Sequence, residues 1–214
     1  PIDTANFQAE PVILEPLPTL ENGGITLASI AVLPGDVVAN VEGDLVALAK
    51  GVRVFPEGCS SLDRAQEWDG TSSLNLVQMS ATFKIKPGIA WSDGEALTAA
   101  DSVYSYTIAA DPATDISKTL VKRTAAYTAV DEQTVQWTGI PGYLTLNPSA
   151  FFWIPLPEHV LNSLSAAQLN DADETNRSPL GWGPYVIDEW TAGDHIRLVK
   201  NEHYFRSSEA LPYF

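Results

Sequence analysis

The chain is short of cysteine, of positive charge and of uninterrupted apolar sequence. Its 214 residues carry one cysteine, and 12 Lys and Arg stand against 27 Asp and Glu for a formal net charge of −15. A single cysteine rules out an internal disulfide framework and a Cys-based zinc site. Cys59, within Pro56-Glu57-Gly58-Cys59-Ser60, reads as a free thiol in a loop. The basic side chains are spread from Lys50 to Arg206 and are densest at Lys118, Lys122 and Arg123. So thin a positive footprint on so acidic a chain excludes nucleic acid as a partner. No segment reaches the ~18 to 20 consecutive apolar residues of a membrane-spanning helix. Pro1-Ile2-Asp3 has neither an initiator Met nor a basic-then-apolar leader, and Leu211-Pro212-Tyr213-Phe214 has no cap or polar tail. Both ends are therefore read as cut, with any export signal outside this sequence.

Signatures of catalysis are missing as well. There is no Gly-x-Ser-x-Gly, and Gly181-Trp182-Gly183 runs into Pro184, which lacks the amide donor a phosphate loop requires. His159, His195 and His203 are not at metal spacing with each other or with Cys59. Asn170 to Glu174 briefly resembles a calcium loop, but counting from Asp171 the sixth position is Asn176 and the twelfth Trp182, where Gly and Glu are needed. No enzyme, metal or cofactor is expected. A secreted acidic hydrolase using paired carboxylates is the competing reading, because 27 acids always offer some pair. An extracellular sensor or scaffold domain is a third.

At 45% hydrophobic and 18% charged residues the chain has the composition of a folded globular protein. After a Pro-rich stretch, residues 1–22, Asn22-Gly23-Gly24 marks a turn and Ile25–Leu33 a strand. Val37–Ala39 and Leu45–Ala47 flank a Gly-containing loop and predict a hairpin. Residues 56–73 are polar and predict a surface excursion. Val77, Met79, Ala81, Phe83 and Ile85 alternate with polar residues, which is a half-buried strand. Thr98 with Asp101 three residues on forms a capping box for a helix over Ala99–Ala110. Tyr127–Val130 and Thr134–Thr138 predict two strands, Pro157 opens a helix to Leu164, and Ser165 with Gln168 caps another. Asn170–Ser178 reads as a linker, followed by a hairpin of Tyr185–Trp190 and His195–Lys200. Strands outnumber helices, so the fold class is α+β with a mixed, mostly antiparallel sheet and a few short helices. Aromatic groups in Gly- and Pro-rich connectors, Phe152, Trp153, Trp182 and Tyr185, are the candidates to line a ligand cleft.

Phe83-Lys84-Ile85-Lys86-Pro87-Gly88-Ile89-Ala90-Trp91-Ser92-Asp93-Gly94, followed by Leu97 to Tyr106, resembles the signature of family 5 extracellular solute-binding proteins. These are the peptide-, oligopeptide- and nickel-binding receptors of ABC importers. Further matches follow in the family's order: Val130–Val135, Pro155–Leu161, Gly181-Trp182-Gly183-Pro184-Tyr185 and Asn201-Glu202-His203-Tyr204-Phe205. Phe83, Gly88, Trp91, Asp93, Gly94, Thr98, Asp101, Gly181, Gly183, Pro184, Asn201 and Tyr204 are signature positions whose physics is structural. The family usually has Thr at the place of Trp182 and commonly Pro at that of Ala96, and the large indole is expected to reshape the cleft. The resemblance implies part of lobe 1 of a two-lobed, type II periplasmic-binding-protein-like fold. Residues 1–19 would be a connector or a remnant of the lobe-1 core, 20–175 an inserted smaller subdomain, and 176–214 the return into that core. The second lobe would lie outside this sequence. It further implies an exported, extracellular or periplasmic receptor that captures peptides or similar small solutes without chemistry. Its partners would be the solute and the ABC permease subunits, with a lipid anchor possible on the parent protein.

Overall fold

The structure, a computed structural model, describes residues 11–59 and 61–208. Its chain order is β1 (Ile25–Val32), β2 (Val37–Ala39), β3 (Leu45–Ala47), β4 (Arg53–Val54), β5 (Gln66–Glu67), β6 (Leu74–Lys84), α1 (Ala99–Ala110), α2 (Thr119–Lys122), β7 (Thr124–Ala129), β8 (Thr134–Gly139), α3 (Glu158–Leu161), α4 (Ala166–Leu169), α5 (Asp173–Asn176), β9 (Tyr185–Thr191) and β10 (His195–Lys200). The main sheet has four strands in the order β1-β6-β8-β7, and three two-stranded ribbons pair β2 with β3, β4 with β5 and β9 with β10. Every paired strand is antiparallel. The expected α+β class is what folds.

β6 organises the molecule because its buried face changes side along its length. Leu74 and Leu76 are buried, and so are Met79, Ala81 and Phe83, but the two sets differ in parity. In a strand, odd and even residues point to opposite faces. Leu74 and Leu76 therefore join Val32, Val38, Leu48, Val54 and Trp68 in one core. Met79, Ala81 and Phe83 join Trp91, Tyr127, Val135, Trp137 and Phe151 in the other. The alternation from Val77 to Ile85 captured the second face; the strand starts three residues earlier and serves both cores.

Three sequence expectations change. The polar excursion over 56–73 contains β5 and the core residue Trp68, whose Nε1 donates to Ser72 O at 2.9 Å, so an indole anchors what polarity alone labels as surface. The linker 170–178 includes the helical turn α5, and the helix opened by Pro157 ends at Leu161 rather than Leu164. Helix α1 keeps the expected bounds: Asp101 Oδ2 accepts from the Thr98 N–H at 2.9 Å, which satisfies one of the unpaired donors at the helix start.

Candidate functional site

The signature positions, scattered over 83–204 in sequence, converge on one junction beside the larger core. Asp93-Gly94 forms its turn with Gly94 at φ +94°, where a side chain would be strained and would also meet the His203 ring at 3.1 Å. Asp93 Oδ2 meets His159 Nε2 at 2.9 Å, tying the turn to α3. Burial opposes ionisation of Asp93, but the His159 contact and the Glu95 amide outweigh it and hold the carboxyl below its ordinary value. Ser92 N–H donates to Gly181 O at 2.9 Å, and Asn201 Nδ2 to Gly183 O at 2.8 Å. Asn201 N–H also reaches Pro184 O, while its side-chain oxygen accepts from His203 N–H. Buried Asp101 gathers four groups: Thr98 N–H and, at 3.4 Å, the Trp91 indole on Oδ2, Glu158 N–H on Oδ1, and Leu156 N–H on its backbone oxygen. Phe83 and Trp91 are buried in the core below, Gly88 takes φ +76°, and Tyr204 packs edge-on against Phe205. These residues hold chain segments together, and Asp93, the exposed acid among them, is engaged with His159.

Next to the junction lies an apolar cavity of about 490 Å³ with walls from three segments. One wall is residues 11–17. Leu14 bridges Ile85, Glu15 N–H donates to Lys84 O, Lys86 N–H to Ile13 O, and Lys86 Nζ to Val12 O at 2.8 Å, so this wall is pinned along the continuation of β6. The Pro-rich composition had marked it as a connector; the apolar triplet Val12-Ile13-Leu14 was the signal that it packs, and Ile13 and Leu14 are buried.

The second wall is Ser149, Ala150, Phe152 and Ile154, with the Phe152 ring 5.4 Å from Phe83. A closed cycle of hydrogen bonds fixes it: Trp153 N–H donates to Tyr127 Oη at 3.1 Å, Tyr127 Oη lies 2.8 Å from Ser102 Oγ, and Ser102 Oγ donates to Trp153 O at 2.5 Å. Because Ser102 spends its proton on the carbonyl, the Tyr127 hydroxyl must donate to Ser102. Burial pushes the Tyr127 phenol up to about 12, against which the Trp153 amide, donating to its oxygen, acts only in part. Sequence reading missed this cycle, whose members are 25 to 51 residues apart.

Trp182 supplies the third wall, on the loop held by Ser92 and Asn201. Of the four cleft candidates, the structure brings Phe152 and Trp182 together. Trp153 instead turns toward Tyr106, ring centroids 5.6 Å apart, and Tyr185 opens strand β9 rather than lying in a connector. Among the described residues no ionisable side chain lines the cavity. Its chemistry is apolar contact. Among the described residues no group of three or more His, Cys, Asp and Glu is placed to hold a metal ion, and no helix is long and apolar enough to cross a membrane.

The chain is thus a small antiparallel α+β unit whose signature motifs form a structural junction, with an apolar cavity walled in part by Phe152 and Trp182 beside it. The chain matches the bacterial extracellular solute-binding proteins, family 5 Middle, over residues 74–214, and it belongs to that family. It is 32% identical over 138 residues to Protein XP55 of Streptomyces lividans, covering 62% of this chain and 24% of that protein. It is 28% identical over 132 residues to the oligopeptide-binding protein AppA of Bacillus subtilis, covering 61% of this chain and 24% of AppA. The solved structure of AppA in complex with a nonapeptide superposes with a TM-score of 0.52 at 20% identity, over 79% of this chain and 30% of that one, which is a likeness of fold. The chain thus spans about a quarter of the length of these curated relatives.

Proposed function

We propose that this chain is part of the substrate-binding component of an ABC-type uptake system, which captures peptides or similar small solutes outside the cytoplasm and hands them to a membrane permease. Membership of an extracellular solute-binding family over residues 74–214 is the observation that carries this reading. The relatives' names supply the solute class, since AppA is an oligopeptide-binding protein. In such a receptor the ligand is trapped between two lobes, and closure is the state the permease reads. The segment 20–175 would be an inserted subdomain of the first lobe and 176–214 its return toward the lobe core. The exposed apolar residues of the β9–β10 hairpin support this division: Trp190, Ile196, Leu198 and Val199 are each 42 to 53% exposed. Apolar surface this concentrated on a two-stranded ribbon is an interface in want of its other half, and the relatives are long enough to provide one. The receptor performs no chemistry in this reading.

The test is calorimetry of the full-length protein against a peptide library, alongside the 214-residue chain. Micromolar or tighter binding is expected of the full-length protein and not of the chain alone, which contributes one side of the clamp. Full-length protein that binds no peptide would overturn this reading, and turnover of chromogenic ester or glycoside substrates that one carboxylate substitution abolishes would replace it with the hydrolase one.

A further inference from the structure

We infer that the cavity walled by Ile13, Leu14, Leu17, Phe152, Ile154 and Trp182 is a subsite for a large apolar side chain of a peptide-like solute, and that Trp182 and Phe152 set its selectivity. This deepens the receptor reading and rests on it for the identity of the solute.

Three observations carry the inference. The first is size: about 490 Å³ falls within the ~300 to 1,000 Å³ of small-molecule pockets and exceeds what a single missing side chain would leave. The second is that the walls are held in place before any ligand arrives. Backbone hydrogen bonds to Lys84 and Lys86 pin residues 13–15, the Ser102–Tyr127–Trp153 cycle pins 152–154, and Ser92 and Asn201 pin 181–183. A cavity with fixed walls does not spend binding energy on ordering itself. The third is charge placement. Among the described residues the cavity has no ionisable lining, yet it shares Pro11, Leu14 and Leu17 with an adjoining groove that carries Glu15 and Lys86. One anion and one cation lining the same groove match the paired polar ends of a short peptide, and a Lys ammonium has three donors of which Lys86 gives one to Val12 O. An apolar side chain in the cavity would place the peptide's polar portion over that groove. A charged side chain would have to enter a space that offers it no partner, which is costly.

The experiment follows the indole N–H resonance of Trp182 while the 214-residue chain is titrated with three probes: the tripeptide Ala-Phe-Ala, the tripeptide Ala-Asp-Ala, and octanoate. Ala-Phe-Ala should shift the resonance saturably in the millimolar range, at least about tenfold more tightly than Ala-Asp-Ala. Ala150→Trp, which fills the cavity from an exposed wall position, should weaken Ala-Phe-Ala at least about tenfold, and Lys86→Gln several-fold, both with unchanged far-UV circular dichroism. Equal binding of the two tripeptides, no response to any probe, or indifference to Ala150→Trp would each overturn the subsite. Octanoate binding without tripeptide binding would overturn the assignment to peptides. If the chain binds Ala-Phe-Ala as described while the full-length protein captures no peptide, the subsite stands and the transport reading fails.

Discussion

The two cores on either side of β6 differ in how they are built and in what they carry. The larger collects Trp91, Trp137, Phe151 and Phe83 from segments far apart in sequence, and Trp137 stacks on Phe151 with ring centroids 4.2 Å apart. It supports the signature junction and all three walls of the cavity. The smaller is drawn from residues 32–76 and turns on one large side chain, Trp68. The family match begins at residue 74, at the start of the strand the two cores share. The match thus takes in most of the larger core and two of the three cavity walls, while most of the smaller core comes from residues before it. Damage to the two cores should have separable consequences.

Trp137→Ala should have the largest effect. The side chain is fully buried, and its Nε1 donates to buried Thr124 Oγ1 at 2.9 Å. Large-to-small substitutions of this kind cost about 3 to 5 kcal/mol, near the upper end here because the stack with Phe151 is lost as well. Denaturant unfolding should show that loss, and binding of Ala-Phe-Ala should vanish with it. Trp68→Ala should cost about 3 kcal/mol, the lower end of the same range. Hydrogen exchange should then accelerate across 33–73 while 79–139 stays protected and the tripeptide still binds. Global unfolding in both variants would dissolve the distinction between the cores.

A finer probe is Tyr127→Phe, which removes one atom from the cycle that holds 152–154. Trp153 N–H loses its acceptor and Ser102 Oγ its donor, a cost of about 1 to 3 kcal/mol. The variant should also lose a pH dependence. The phenol titrates at about 12 when folded and near its ordinary 10.0 when unfolded. Its contribution is complete below pH 10 and is lost as pH rises through the folded value. Stability of the parent chain should therefore fall more steeply between pH 10 and 12 than that of Tyr127→Phe, as urea midpoints across that range would show. Parallel profiles would mean the phenol is not confined as the geometry has it.

How far these features could be read beforehand follows from the range of the interactions. The β6 alternation, the Thr98–Asp101 box, the Ser165–Gln168 box and the β9–β10 hairpin are local, set by residues within about four positions or by one strand period, and they were legible. The junction was legible only as a family resemblance, because nothing in Asn201 or Gly183 alone announces that they bond. The cavity was half legible. Phe152 and Trp182 stood out as aromatics in connectors, but residues 11–17 were hidden by four prolines in the first 18 residues. Trp68 shows the converse error: a buried indole surrounded by Asp69, Gly70, Thr71, Ser72 and Ser73 is averaged away by polar neighbours.

That polar run also explains how so small a core keeps its tryptophan in place. Asp69 Oδ1 accepts from Thr71 N–H at 2.8 Å, from Ser72 N–H at 2.7 Å and from Ser72 Oγ at 2.9 Å, curling the chain so that Ser72 O meets the Trp68 indole. Hydrogen bonds to the ionised form favour it, led by the Ser72 amide, and the carboxyl is lowered from 3.8 to about 2 although it is fully exposed. A depressed folded value means the contribution is present above pH 3.8 and is lost as pH falls toward about 2. Carboxyl-detected NMR should place the Asp69 midpoint near 2, and the Trp68 indole proton should begin to exchange faster as Asp69 protonates. The change in overall stability should be the smallest of the series. A midpoint at the ordinary 3.8 would show that the turn does not hold the carboxylate, leaving the smaller core to rest on apolar packing alone.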